Sequence, residues 1–110
     1  MENYRYRIAD DILKFRLASK GAVLIQGPKW CGKTTTAEQA AASVLYMDDP
    51  SKVRQNLLLA DTDPRSLLEG DVPRLIDEWQ LAPKLWDAVR FSVDHRGKFG
   101  LYILTGSAVP

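Results

Sequence analysis

Residues 27–35 read GPKWCGKTT and directly follow the apolar run AVLIQ at 22–26. Apolar side chains on consecutive positions suit a strand buried on both faces of a parallel sheet. The run KTTTAEQAAAS at 33–43 contains neither Gly nor Pro and is rich in strong helix formers, which predicts a helix. The glycine-rich turn therefore joins a strand to a helix. Within it, Gly27, Gly32, Lys33 and Thr34 match the spacing GxxxxGK followed by Ser or Thr. With glycine at about 7% of residues, chance produces that match in roughly a few in a thousand chains of such length. The chemistry explains the spacing. Glycines let the backbone curl so that successive N–H groups face one concavity, and the new helix adds its positive end. A lysine at position 33 reaches β- and γ-phosphates, and the Thr34 hydroxyl ligates Mg²⁺. The alternative is a glycine turn with a surface lysine, which the strand-turn-helix placement disfavours.

The rest of the composition sets bounds. The 110 residues suffice for one modest domain with a single core. A net charge of +1, from 15 basic and 14 acidic side chains, gives no electrostatic case for nucleic acid. Apolar runs reach about five residues, against the roughly 20 of a membrane span, and MENYRYRIADD lacks the apolar stretch of a signal peptide. One cysteine, Cys31, closes no internal disulfide. These features predict a cytoplasmic protein.

Along the chain, Ile8, Ile12, Leu13, Phe15 and Leu17 recur at helical spacing over 6–19, with an end near Gly21. VLYMDD at 44–49 reads as a second strand. Asp49-Pro50 and Asp63-Pro64 read as helix starts, aspartate as N-cap and proline at the first helical position. The first of these helices carries Val53, Leu57 and Leu58 on a sticky face, and Gly70 closes the second. PRLIDEWQ at 73–80 is a third strand running into two carboxylates. Pro83 opens a helix with Leu85, Val89 and Val93 on one face, broken at DHRGKFG, and LYILTGS at 101–107 is the last strand. Strands alternating with helices predict βαβ units and a parallel sheet.

LIDEW places Asp77 and Glu78 at the C-terminal end of a short apolar strand, the edge where open α/β sheets bind ligands. An aspartate there suits a Mg²⁺ shell, and a glutamate beside it suits the orientation of a water for in-line attack on a γ-phosphate. Adjacent acids at a strand end are commonly a solvated loop or a helix cap; the phosphate-loop pattern upstream tips the reading toward function. Thr105 ends YILT, followed by Gly106 and Ser107 as a flexible pair. A small hydroxyl there is commonly a turn former, and in this company it is a candidate sensor of the γ-phosphate or its water.

GPKWCGKTT, RLIDEWQLAPKLWDAV and YILTGSA, in this order, resemble the N-terminal ATPase domain of a bacterial and archaeal AAA-type ATP-binding family. The resemblance spans the whole chain. It implies an α/β fold, a three-layer P-loop NTPase of the additional-strand ATPase type with a mostly parallel sheet in the order 5-1-4-3-2. It also implies one partial domain over 1–110, with an N-terminal helix at 6–19 and a nucleotide-binding core at 21–110, incomplete at the C-terminus. Such proteins usually continue into a last core strand, an arginine-bearing segment and a C-terminal domain. Without the fifth strand AVLIQ is expected to be an exposed, aggregation-prone edge. The implied Walker A residues are Gly27, Pro28, Lys29, Trp30, Cys31, Gly32, Lys33, Thr34 and Thr35, binding ATP. Thr34 and Asp77 are the implied Mg²⁺ ligands, and Lys33, Glu78 and Thr105 the implied catalytic residues. Many members have Arg where this chain has Lys29, and a small or aliphatic residue where it has Cys31.

The expected activity is Mg-dependent ATP binding and hydrolysis, driving a motion of a downstream domain or an unknown protein partner, with a homo-oligomer among the arrangements it implies. Two other classes stay open: a nucleotide-binding switch or remnant without turnover, and a P-loop phosphotransferase. Glu78 after Asp77 favours water as acceptor, and Arg90 and Arg96 are the only arginines after the third strand, too few for a kinase lid. Cys31 at a helix N-terminus favours a thiolate, but a small filler is the simpler role. His95 has no Cys or second His near it in sequence for a metal. Trp30, Trp79 and Trp86 fit a base-stacking surface or, more commonly, core or interface. Tyr6, Arg7 and Ile8 are placed near adenine only by how such folds are usually arranged.

Overall fold

The computed structural model describes Leu13, residues 15–27 and residues 33–107. Four strands, β1 (Ala22–Gly27), β2 (Ser43–Tyr46), β3 (Arg74–Asp77) and β4 (Tyr102–Ser107), form one sheet in the order β1-β4-β3-β2. Every pairing is parallel. The helices are α1 (Lys33–Ala40), α2 (Val53–Thr62), the short α3 (Pro64–Leu67) and α4 (Lys84–Arg96), with a 3₁₀ turn at Trp79–Leu81. This is the expected α/β architecture of a P-loop NTPase, with β4 inserted between β1 and β3.

The two central strands explain the layering. Side chains alternate faces along a strand, and β3 and β4 carry apolar residues on both. Ile76, Tyr102 and Leu104 enter one cluster with Ala60 of α2, Leu67 of α3, and Leu85 and Val89 of α4. Leu75 and Ile103 enter the other with Val23, Ala37 of α1, and Leu13 and Leu17. Helices therefore cover the sheet on both faces. Arg74, at the start of β3, is half-buried and donates from Nε to Leu67 O (2.9 Å) and from Nη1 to Ser43 Oγ (3.1 Å). Burial pushes its guanidinium pKa down.

Several boundaries differ from the sequence expectation, each for a local reason. β1 is an edge strand among the described residues, so Val23 is buried while Leu24 is 40% exposed; burial on both faces does not hold. Leu13 and Leu17 share the buried side of a helical segment, but Phe15 points out at 74% exposed, since two residues turn a helix through about 200°. Ile8 and Ile12 lie outside the described residues. α2 starts at Val53 rather than Pro50, because Asp49 Oδ1 accepts from Ser51 N and Ser51 Oγ, folding 49–52 into a turn. Those two bonds hold the Asp49 carboxyl below its ordinary range. α4 runs through Asp94, His95 and Arg96 and is closed at Gly97, whose N–H reaches Val93 O, so DHRGKFG ends the helix later than expected.

Gly21 enters β1 beneath α4, where a Cβ would overlap Val93 Cγ1 and lie 3.0 Å from Cγ2. A β-branched neighbour cannot swing aside. Gly21→Ala is expected to destabilise the fold by about 1–3 kcal/mol through overpacking. Urea denaturation of a double-mutant cycle checks this: Val93→Ala should absorb most of the added cost, and simple additivity would show that the two sites do not touch.

Candidate functional site

The C-terminal ends of the strands bring the singled-out residues together. Gly27 is the last residue of β1, and Lys33, Thr34 and Thr35 open α1. Pro28, Lys29, Trp30, Cys31 and Gly32 lie outside the described residues, as do Tyr6, Arg7 and Ile8. Strand periodicity aims the rest. Asp77 shares a face with Leu75 and Thr105 shares one with Ile103, and both of those residues belong to the cluster packed by α1. Asp77 and Thr105 are also register partners.

The consequence is a convergence on one atom. Thr34 Oγ1 donates to Asp77 Oδ1 at 3.1 Å, and Thr105 Oγ1 donates to the same oxygen at 2.6 Å. Asp77 is 7% exposed and Thr105 fully buried. A carboxylate removed from water needs such donors. Thr105, expected as a sensor, is thus a direct partner of Asp77.

β3 stops at Asp77, three residues short of the expected 73–80 strand. Glu78 adopts a left-handed backbone (φ 57°, ψ 45°), uncommon for a residue with a side chain, and Trp79–Leu81 form the 3₁₀ turn. An extended Glu78 would project from the face opposite Asp77. The turn instead lets Glu78 Oε2 accept from Ser107 Oγ at 2.9 Å, while Oε1 accepts from Gln80 Nε2 at 2.6 Å. Ser107 has the strand parity of Thr105. Glu78 is 7% exposed.

Gly106 completes the fit. A Cβ on it would lie 2.8 Å from Gln80 Oε1 and 3.1 Å from Trp79 Nε1. Those two side-chain atoms are buried without a hydrogen-bond partner among the described residues. The three residues of β4 therefore meet the strand end and turn in sequence: Thr105 bonds Asp77, Gly106 lies under Trp79 and Gln80, and Ser107 bonds Glu78. The flexible pair expected at 106–107 is instead strand, packed and hydrogen-bonded. Gln80 and Ser107 were missed as site residues; the parallel pairing of LIDE with ILTGS points to Ser107 once Thr105 is set opposite Asp77, whereas Gln80 lies in the turn beyond the pairing.

Neighbouring groups frame this centre. Tyr46, opposite Asp77 in the β2–β3 register, donates to Glu38 Oε2 of α1 and so ties that helix to β2. The Glu38 bond first, then burial and the charges of Glu38 and Asp77, push its phenol up to about 12. Trp79 and Trp86 pack 5.8 Å apart against the core cluster, rather than presenting a stacking platform. His95 stacks on Phe91 and its Nδ1 lies 3.0 Å from Phe91 O. Among the described residues no group of three or more His, Cys, Asp or Glu is placed to hold a metal.

β1 and α1 flank residues 28–32, and α1 is bonded through Thr34 to Asp77 of β3, two strands from β1 in the same parallel sheet. The family model described as an AAA domain matches residues 19–110. The chain belongs to this family. Its ATP-binding, AAA ATPase-type character follows from that membership together with the P-loop NTPase sheet order. No curated protein and no solved structure matches this AAA domain. Among its described residues no helix is long and apolar enough to cross a membrane.

Two measurements probe this geometry. Thr105→Val keeps the side-chain shape but removes a donor from a buried carboxylate, so urea denaturation should show a loss of about 1–3 kcal/mol; an unchanged midpoint would mean that the bond contributes nothing. Ultraviolet titration should show one tyrosine ionising late, near pH 12. Because the folded state holds that proton more tightly, the stabilisation is present below the ordinary tyrosine pKa of about 10 and is lost as pH rises through the folded value. Glu38→Gln should bring the late step back toward 10, and an unmoved titration would assign it to another tyrosine.

Proposed function

We propose that this domain binds Mg·ATP at the end of β1 and hydrolyses it to ADP and phosphate. The observation that carries the reading is the convergence of Thr34 and Thr105 on Asp77, with the Glu78 carboxylate held beside it. In this reading 1–110 is one nucleotide-binding unit. The 27–35 loop cradles the phosphates with its N–H groups, and the Lys33 ammonium meets the β- and γ-phosphates.

Mg²⁺ fits the residues present. Thr34 Oγ1 and Asp77 Oδ1, 3.1 Å apart, are hard oxygen donors of the kind Mg²⁺ takes and would hold the ion, with water and phosphate oxygens completing its shell. When bound, the ion neutralises charge on the β- and γ-phosphate oxygens. Asp77 holds the Thr34 hydroxyl in place, and Thr105 fixes Asp77.

Glu78 is the base of the proposed reaction. Its carboxylate accepts a hydrogen bond from the attacking water and draws off the proton as that oxygen adds to the γ-phosphorus and ADP departs on the opposite side. A second reading, a nucleotide-dependent switch without turnover, draws support from the two donors already placed on Glu78.

Paired neutralisations separate these readings. Glu78→Gln keeps size and reach but loses basicity, so ATP should bind and remain unhydrolysed. Asp77→Asn should weaken the Mg²⁺-dependent part of affinity, and Lys33→Ala should cost roughly 2–5 kcal/mol of nucleotide binding. Phosphate release, with calorimetric titration of ATP with and without Mg²⁺, measures all three. Wild-type turnover in Glu78→Gln removes that residue from the mechanism, unchanged affinity in Lys33→Ala removes the loop, and wild-type protein that binds ATP without releasing phosphate is a switch.

A further inference from the structure

We infer that Gln80 is a positioning residue for the Glu78 carboxylate, a role that rests on the hydrolase reading above. A left-handed backbone alone does not fix a glutamate, whose three side-chain torsions leave the carboxylate free to sweep several ångströms. Here its two oxygens are gripped from different directions. Ser107 Oγ comes from β4 at 2.9 Å, and Gln80 Nε2 comes from the Glu78 turn itself at 2.6 Å.

The orientation of the Gln80 amide is forced. Reversed, it would set Oε1 against Glu78 Oε1, two acceptors in contact. The observed orientation gives a charge-assisted bond and leaves Oε1 buried, without a partner among the described residues, beside the bare Cα of Gly106. A glutamine kept only to fill space would place its amide where both ends are satisfied. This one gives up a partner at Oε1 to keep a donor on Glu78. A carboxylate offers about four acceptor positions, and these two donors fix one on each oxygen. Asp77, the adjacent carboxylate, engages Thr34 and Thr105 instead.

Two substitutions in the full chain test the assignment. Gln80→Met keeps the length and removes the donor; kcat should fall about 100-fold, the scale of a misplacement near 1 Å, with KM for ATP unchanged. Gln80→Glu keeps the shape of the side chain and replaces the donor by an acceptor; kcat should fall at least as far, again with KM for ATP unchanged.

Loss of kcat at unchanged KM in both variants supports the assignment. Wild-type kcat in either folded variant overturns it. If Gln80→Met does not fold, Gln80→Glu decides alone. Wild-type protein that releases no phosphate from ATP overturns the hydrolase reading and this assignment with it, an outcome distinct from an active wild type with indifferent variants.

Discussion

One carboxylate oxygen, Asp77 Oδ1, carries the geometry of the sheet's C-terminal edge. It accepts from Thr34 of α1 and from Thr105 of β4 while belonging to β3, so three elements that are distant in sequence meet on a single atom. At 7% exposed, this charge has lost most of its water, and a buried carboxylate without partners is costly enough that proteins avoid it. The two hydroxyls offset that cost. The same requirement fixes where α1 begins relative to the sheet, because moving the helix would strip a donor from the charge. Apolar packing of Ala37 against Leu75 and Ile103 sets the distance between layers, but packing is tolerant of sliding. A hydrogen bond between two short side chains is not.

Strand arithmetic then explains why the second carboxylate needs a special backbone. In β3 the alternation that sends Leu75 and Asp77 toward α1 sends Ile76 the other way, and Glu78 would follow Ile76. A left-handed residue breaks the alternation at the first position after the strand. The conformation costs roughly 1–2 kcal/mol for a residue with a Cβ. Glu78 recovers part of that through its bonds to Gln80 and Ser107. Two adjacent acids thereby face different partners, Asp77 the hydroxyls of the loop helix and β4, Glu78 the turn and the strand end.

Much of this architecture is legible in the residues. The phosphate-loop spacing at 27–34, the apolar doublets Leu75-Ile76 and Ile103-Leu104, and proline-marked helix starts suffice for alternating strands and helices. The order β1-β4-β3-β2 came from family resemblance rather than from any residue, since apolar strands do not announce their neighbours. What stayed hidden was decided by contacts across the chain. Leu24 reads like Val23 in sequence, and only the edge position of β1 exposes it. PRLIDEWQ reads as one strand because nothing in DEWQ marks a left-handed residue; glycine or asparagine would have. Gly106 reads as flexible, and only the side chains of Trp79 and Gln80 above it reveal that the space of a Cβ is taken. The Asp49 turn shows a signal read correctly in kind and wrongly in place: the aspartate does bond backbone N–H, but that of Ser51 in a turn ahead of the helix.

Among the described residues, four consecutive positions break local rules together. Asp77 is a buried carboxylate, Glu78 has a left-handed backbone, and Trp79 Nε1 and Gln80 Oε1 are buried without partners among the described residues. Each unsatisfied polar atom costs about 1–3 kcal/mol, so together with the backbone strain this segment opposes folding by an amount comparable to a large part of a small domain's net stability of about 5–15 kcal/mol. Sequences free of other demands do not accumulate such conflicts in one place, because each single substitution that removed one would stabilise the fold. An apolar side chain in place of Gln80 would remove the orphaned oxygen, and an extended residue 78 would remove the strain. The first change would also take the Gln80 donor from the Glu78 carboxylate, and the second would turn that carboxylate toward the opposite face. The destabilising features and the grip on that carboxylate have the same structural origin, the turn that follows β3.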